Sequence, residues 1–256
     1  MSLPIFESCI LLFLLGLCTS CISSTTGGSA FINVPVMIFL GFPPAMAIAS
    51  ARMTAVGTSL AGISQFHKFG KIDYRLAWPA ALLSIVGAAM GALFTTKLSD
   101  TALSHLIGGV TLALLFLSYF LKRKAGAEIS ASRVKRAFGY SLFLITSTVG
   151  GVFGGMGMIN TYIFMMCFHK KVAESIGTRK VVTLAVSIAA ALVYGVHGFI
   201  NWYAVAALMA GTVIGTIVAT GFMLRRGDRF IEIAFMLITF AMGVKLLISA
   251  THAQIF

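Results

Sequence analysis

The run Ser23-Ser24-Thr25-Thr26-Gly27-Gly28-Ser29 interrupts an apolar stretch at residues 8–41. The run Gly150-Gly151-Val152-Phe153-Gly154-Gly155-Met156-Gly157 interrupts a second one at 137–168. Glycine and small hydroxyl residues at this density favour a break in a helix. Each long stretch therefore reads as two helical pieces of roughly 14–17 residues, each about half as long as a bilayer is thick at 1.5 Å per residue.

The composition says what surrounds these breaks. Of 256 residues, 59% are hydrophobic and 10% charged, and the mean hydropathy is +0.98. A soluble domain carries roughly 25% charged residues. Too few polar side chains are present to cover a water-facing surface, so the expected class is an all-α polytopic membrane protein forming a single membrane domain over 1–256. The expected location is a prokaryotic inner membrane. The opening residues MSLPIFE hold no Lys or Arg, so a signal-peptide n-region is missing and the first apolar segment is expected to be retained. The formal charge of +12 does not indicate nucleic acid as a partner. The basic residues cluster in short loops between apolar segments, without a basic stripe interleaved with aromatics.

The remaining apolar segments fall at about 43–66, 74–97, 101–121, 171–197, 202–225 and 229–250, most of them long enough to span a bilayer. The chain also reads as an internal duplication. An offset of 127 aligns Gly27-Gly28 with Gly154-Gly155, Asn33 with Asn160, and Arg52 with Arg179. An offset of 128 aligns Ile72-Asp73-Tyr74 with Ile200-Asn201-Trp202, Gly87 with Gly215, Phe94 with Phe222, and Asp100 with Asp228. Such repeats are common in secondary transporters. Residues 1–121 form the first repeat, the polar stretch 122–136 a cytoplasmic linker, and 137–256 the second repeat.

Charge chooses between two topologies. If all eight segments cross the membrane, basic residues fall on both sides. If the two broken segments are re-entrant hairpins, Lys97 stands alone on one side. The other side then holds Lys68, Lys71, Arg75, Lys122, Arg123, Lys124, Arg133, Lys135, Arg136, Lys170, Lys171, Arg225, Arg226 and Arg229. The positive-inside rule favours the hairpins. The expectation is two inverted repeats, each a re-entrant helical hairpin plus three transmembrane helices, with both termini outside.

Arg52 and Arg179 then lie about 12–14 Å deep, approaching the midplane from opposite faces. A central Arg costs at least about 2.5–3.5 kcal/mol. Two readings stay open: an anion site, or structural arginines bonded to carbonyls freed at the breaks. Lys180, beside Arg179, and Lys245, near a helix end, are further candidates. The returning half-helices begin near Gly28 and Gly155, and their unsatisfied N–H groups suit an anion. Ser24, Thr25, Thr26 and Ser29 supply hydroxyls on one side, Thr146, Ser147, Thr148 and Asn160 polar groups on the other. Asn33 and Asn160 are each either ligands or hairpin tethers. Glycines at the breaks equally permit close helix packing. Asp100 and Asp228 read as helix N-caps, and Glu174 as a surface partner of Lys170 and Lys171.

Other chemistry finds no support. Cys18 and Cys21 form a C-x-x-C without a second pair; with Cys9 and Cys167 they read as small apolar packing residues. His67, His105, His169, His197 and His252 show no metal-ligand spacing, so no metal or other cofactor is expected. No G-x-x-x-x-G-K-[ST], H-E-x-x-H or G-x-S-x-G motif occurs, so an enzyme is not expected.

The two glycine-rich breaks, the stretches Asn33-Val34-Pro35 and Gly41-Phe42-Pro43-Pro44-Ala45, the run Gly87-Ala88-Ala89-Met90-Gly91-Ala92 and the basic central loop together resemble the TauE/SafE family. The resemblance covers nearly the whole chain, although the first break is less glycine-rich than the usual form. It implies a transporter, an exporter by the family's description, of a small sulfur-containing anion such as sulfite or an organosulfonate. Spacing and composition imply only an anion. The residues expected to meet it are Arg52, Arg179, Lys180, Gly27, Gly28, Ser29, Gly154, Gly155, Asn33, Asn160, Thr25 and Thr26. An anion channel and a non-transporting membrane scaffold are the alternative readings.

Overall fold

A computed structural model describes residues 5–25, 27–99, 102–103, 133–227, 230 and 233. The regular structure among them is entirely α-helical: α1 (Ile5–Thr25), α2 (Ala30–Phe39), α3 (Pro44–Lys68), α4 (Tyr74–Thr95), α5 (Arg133–Val152), α6 (Gly157–Phe168), α7 (Val172–Val196) and α8 (Trp202–Arg226). The expected segments at 101–121 and 229–250, most of the linker, and the sites Thr26, Asp100, Asp228, Lys245, His105 and His252 lie outside the described residues.

Three helices, α4, α7 and α8, are long and apolar enough to cross a membrane. Helix α3 is as long as α7 and α8, at 25 residues, but it spends its inward positions on Ser50, Arg52, Thr54, Thr58 and Ser59, all buried. The exterior is apolar instead. On α4 the residues Trp78, Leu82, Val86, Met90 and Phe94 recur at helical spacing and are all more than half exposed. A water-soluble protein does not show such a face. With small and polar residues inside and bulky apolar ones outside, this is an integral membrane protein.

Small residues bring the helices together. A Cβ added to Gly16 would meet Leu208 O at 2.7 Å and Thr212 N at 2.9 Å, which sets α1 backbone to backbone against α8. Gly87, Gly91 and Gly151 do the same for α4 and α5. Without a hydrophobic drive between helices in lipid, such close approach supplies the packing energy.

These contacts also fix helix directions. Gly16 against Leu208 and Thr212, and Ser24 accepting from Thr220 Oγ1 at 3.1 Å, make α1 parallel to α8. Gly57 against Met209 and Gly221 near Gln65 make α3 parallel to α8 as well. The turn 40–43 joins α2 to the start of α3, so the segment α1–α2 leaves at the end where it entered. Within α5–α6, Gly139 packs on Phe168, the Phe143 and Phe164 rings sit 4.8 Å apart, and Thr146 bonds Asn160. That segment also doubles back, at the opposite end of the bundle, where the amide of Asp73 donates to Thr178 Oγ1.

The break lengths differ from expectation. The pieces are not of equal length: α1 has 21 residues and α2 10, α5 has 20 and α6 12. Helix α1 continues through Ser23, Ser24 and Thr25 because hydroxyls in its last turns bond back to carbonyls, as Ser24 Oγ does to Ser20 O at 2.8 Å. Helix α5 continues through Gly150 and Gly151 because Gly151 lets Ala88 approach. Tyr194 Oη also donates to the Gly151 and Val152 carbonyls at 2.9 and 3.2 Å. The return helices therefore start at Ala30 and Gly157, two residues later than Gly28 and Gly155.

Candidate functional site

The two breaks touch. A Cβ on Gly27 would lie 3.0 Å from Gly157 Cα, and one on Gly154 3.0 Å from Ala30 Cβ. The Phe31 and Phe153 rings are 5.5 Å apart. Gly27, Gly154 and Gly155 have φ of +70°, +101° and +75°, a region that side chains rarely enter. Between the breaks and helices α3 and α7 lies a cavity of about 60 Å³. A water needs roughly 10–15 Å³ measured in this way, so the space suits a few waters or one small anion.

Arg52, Arg179 and Lys180 line the cavity and are 6%, 1% and 3% exposed. Each donates to a carbonyl in the last turn of a broken helix. Arg52 Nη2 donates to Gly150 O, Arg179 Nη2 to Thr25 O at 2.7 Å, and Lys180 Nζ to Ser23 O at 3.1 Å. Helix C-terminal carbonyls carry partial negative charge, which explains how cations are held here. Among the described residues no carboxylate lines the cavity, and the ion pairs lie elsewhere. Arg52 Nε and Arg179 Nε have no hydrogen-bond partner among the described residues. The site thus brings together three basic side chains and two helix N-termini, with no carboxylate among the described residues.

The expected site residues divide. Gly27, Ser29, Asn33, Gly155, Asn160, Arg52, Arg179 and Lys180 line the cavity. Gly154 packs against the Arg52 guanidinium without lining it. Gly28 is buried outside the lining, and Thr25 contributes its carbonyl to Arg179. Ser24 faces α8 instead, accepting from Thr220. Asn160 Oδ1 accepts from Thr146 Oγ1 at 2.9 Å, a hairpin tether, whereas Asn33 Oδ1 has no partner. Thr54, Thr58, Ser59, Thr183 and Thr212 also line the cavity. They were not anticipated, although Ser59 lies seven residues from Arg52 on the same helical face and Thr183 four from Arg179. The buried hydroxyls of Ser147 and Thr54 have no partners.

Hydrogen bonds recur along the chain at the offsets that the sequence suggests. The amide of Asp73 donates to Thr178 Oγ1 and that of Asn201 to Ser50 Oγ. Ala47 N bonds Pro43 O, and Ser175 N bonds Lys171 O. Asp73 and Asn201 both cap the N-termini of their helices. All follow an offset of 128. At that register Arg52 corresponds to Lys180, not to Arg179 as the offset of 127 suggested. Their acceptors agree: Gly150 precedes the Gly154-Gly155 pair by four residues, as Ser23 precedes Gly27-Gly28. Arg179 corresponds to Ala51 and is an extra cation.

At the bundle end that holds the α3–α4 loop, Lys170 pairs with Asp73 at 2.7 Å and with Glu174 at 3.7 Å. Partial burial works against ionisation of Asp73. The hydrogen bond and charge of Lys170, with the amides of Leu76 and Arg75, outweigh it and hold the carboxyl below its usual range. The Asp73 hydrogen bond in turn raises Lys170. Cys9, Cys18 and Cys167 are free thiols; the Cys21 side chain lies outside the described residues. No group of metal-ligating side chains occurs among the described residues.

Fold and site together define an integral membrane protein built around a buried, cation-lined cavity between two helix breaks. A family model described as Sulfite exporter TauE/SafE matches residues 12–246. The chain belongs to that family. Proteins named "Probable membrane transporter protein" are similar over nearly their whole length. One from Haemophilus influenzae is 24% identical over 242 residues, covering 92% of this chain and 93% of the relative. One from Sinorhizobium sp, ORF9, is 24% identical over 249 residues, covering 96% and 95%. YdhB of Bacillus subtilis is 25% identical over 228 residues, covering 83% and 88%. No solved structure matches. The chain is a membrane transporter.

Proposed function

We propose that this transporter carries a small sulfur-containing oxyanion, of the sulfite or organosulfonate class, by alternating access at the cavity between its two breaks. The single observation that carries the reading is the presence of three buried basic side chains in a small cavity that no carboxylate lines among the described residues. Arg52, Arg179 and Lys180 neutralise the anion. The N-termini of α2 and α6 attract it through their partial positive charge, and Ser147 and Thr54 supply hydroxyl donors. The small volume favours compact oxyanions over extended ones. The sulfur chemistry comes from the family description alone.

The opposed directions of α1–α4 and α5–α8, and the hydrogen bonds repeated at offsets of 127 and 128, support a pair of inverted repeats over 1–121 and 137–256. Rocking of one against the other exposes the cavity to each side in turn. The basic loops place the linker in the cytoplasm of a prokaryotic cell and both termini outside. The test is thermal-shift and calorimetric binding of sulfite, sulfate, methanesulfonate, sulfoacetate and small carboxylates to purified protein. Removing one charged hydrogen bond costs about 1.5–3 kcal/mol, so Arg52→Ala and Arg179→Ala should each weaken binding by tenfold or more. Wild-type affinity in both variants would reject the site. Conductance that fails to saturate in a planar bilayer would favour a channel instead.

A further inference from the structure

Lys180 occupies the position in the second half that Arg52 occupies in the first, and it makes the matching bond, to Ser23 O as Arg52 does to Gly150 O. The exchange replaces a guanidinium that keeps its proton with an ammonium that can release it. We propose that Lys180 is the proton carrier of this transporter, gaining a proton as the anion enters the cavity and losing it as the anion leaves, so that the two cross together. The inference rests on the anion-site reading of the cavity.

The placement of Lys180 supports this role. Its stem runs past Gly62 of α3, where a Cβ would lie 3.0 Å from Lys180 Cε. Gly62 thus opens the path that brings the ammonium to the cavity wall. Its charged neighbour is Arg179 on the same helix, and Arg52 of α3 lines the same cavity. Among the described side chains, the other titratable or charged groups on the surrounding helices are Glu7, Cys9 and Cys18 on α1, His67 and Lys68 on α3, Tyr74 and Arg75 on α4, Lys135, Arg136 and Tyr140 on α5, Tyr162 and Cys167 on α6, Glu174 and Tyr194 on α7, and Tyr203, Arg225 and Arg226 on α8. None of these lines the cavity.

A protonated Lys180 is therefore the third positive charge in a space that no carboxylate lines among the described residues. An entering anion offsets that charge, and the charge in turn attracts the anion. Proton and anion each strengthen the binding of the other by the same factor. In the step itself the Nζ lone pair takes a proton from water on the open face, turning –NH2 into –NH3⁺. On the opposite face the same N–H bond breaks and water accepts the proton. Arg52 and Arg179 hold the anion through both steps without exchanging protons.

The test is calorimetric binding in two buffers of different ionisation enthalpy, from mildly acidic to mildly alkaline pH. The probes are sulfate, methanesulfonate and sulfoacetate, which keep a constant charge there. In wild type, binding takes up as much as one proton per anion, and affinity falls toward a limit of tenfold per pH unit on the alkaline side. Lys180→Arg binds without proton uptake and with a flat pH profile. Lys180→Gln, which serves if the Arg variant does not fold, binds more weakly at every pH and also without uptake. Lys170→Gln, at the bundle end, keeps the wild-type uptake. Proton uptake by Lys180→Arg or Lys180→Gln equal to that of wild type would overturn the assignment while leaving the anion site standing. Binding of no anion by wild type would overturn both.

Discussion

Gly27→Ala isolates the contact between a break and its cation. At Gly27 φ is +70°, and an alanine there costs about 1–2 kcal/mol in backbone strain. Gly70 supplies the control: its φ is +63° and an added Cβ meets nothing within 4 Å, so Gly70→Ala carries the same backbone cost alone. At Gly27 the new Cβ overlaps the Arg179 guanidinium and lies 3.0 Å from Gly157 Cα. Arg179 must then leave the Thr25 carbonyl, losing a charged hydrogen bond worth about 1.5–3 kcal/mol. The expected cost is about 2.5–5 kcal/mol for Gly27→Ala against 1–2 for Gly70→Ala. At about 2–4 °C per kcal/mol for a chain of this size, thermal unfolding in detergent should separate the two clearly. Anion binding separates them further: Gly70→Ala keeps wild-type affinity, and Gly27→Ala loses at least tenfold. Equal melting temperatures, or unchanged affinity in Gly27→Ala, would refute the placement of Arg179 against the break.

Tyr194→Phe removes the hydroxyl that holds the Gly151 and Val152 carbonyls, at an expected cost of about 1–3 kcal/mol. The ring stays in its fully buried place, and a melting temperature equal to wild type would count against the capping role. The Asp73–Lys170 pair gives a pH signature. Asp73 is held below its usual range, so its contribution is present above the unfolded carboxyl pKa of about 3.9 and is lost as pH falls through the folded value. Lys170 is held above its own, so its contribution is present below the unfolded pKa of about 10.4 and is lost as pH rises through the folded value. Melting profiles of Asp73→Asn should therefore lie below wild type at neutral pH and converge with it in acid. In an otherwise cysteine-free protein, Cys replacing His197 should react with an impermeant maleimide on intact cells, and Cys replacing Arg226 should not. The reverse pattern would invert the orientation.

Much of the fold could be read from the residues. Segments expected at 43–66, 74–97, 171–197 and 202–225 became Pro44–Lys68, Tyr74–Thr95, Val172–Val196 and Trp202–Arg226. Turn residues mark these limits, with Asp73 and Asn201 as caps and Pro43–Pro44 at a helix start. The breaks were found but their edges were not, because hydroxyl back-bonding and Tyr194 extend the helices past residues that favour stopping. The pairing of Arg52 with Arg179 rests on the offset of 127, whereas the hydrogen bonds of Asp73 and Asn201 follow 128. The glycines align at 127, and the chain gains one residue between Asn33 and Gly41 of the first half and their counterparts Asn160 and His169. That residue turns the face of the next helix by about 100°. Only a contact made outside the helix, such as the bond from Asn201 to Ser50, reveals the change.

The breaks and the cations depend on each other. An unbroken helix has no spare carbonyl in its middle, because each already accepts a bond four residues on. A guanidinium at that depth would then be desolvated with nothing to hold it. Ending α1 at Thr25 and α5 at Val152 frees the carbonyls that Arg179, Lys180 and Arg52 occupy. Conversely, freed carbonyls in the interior would be costly without donors. Each cation also grips the break of the other half: Arg52 of α3 holds α5, and Arg179 and Lys180 of α7 hold α1. Any movement that separates these helices must therefore carry a break and its cations together or exchange their bonds for others. On the proposed reading, an anion that neutralises those cations weakens their hold on the carbonyls, and in this way its presence in the cavity is tied to the freedom of the breaks to move.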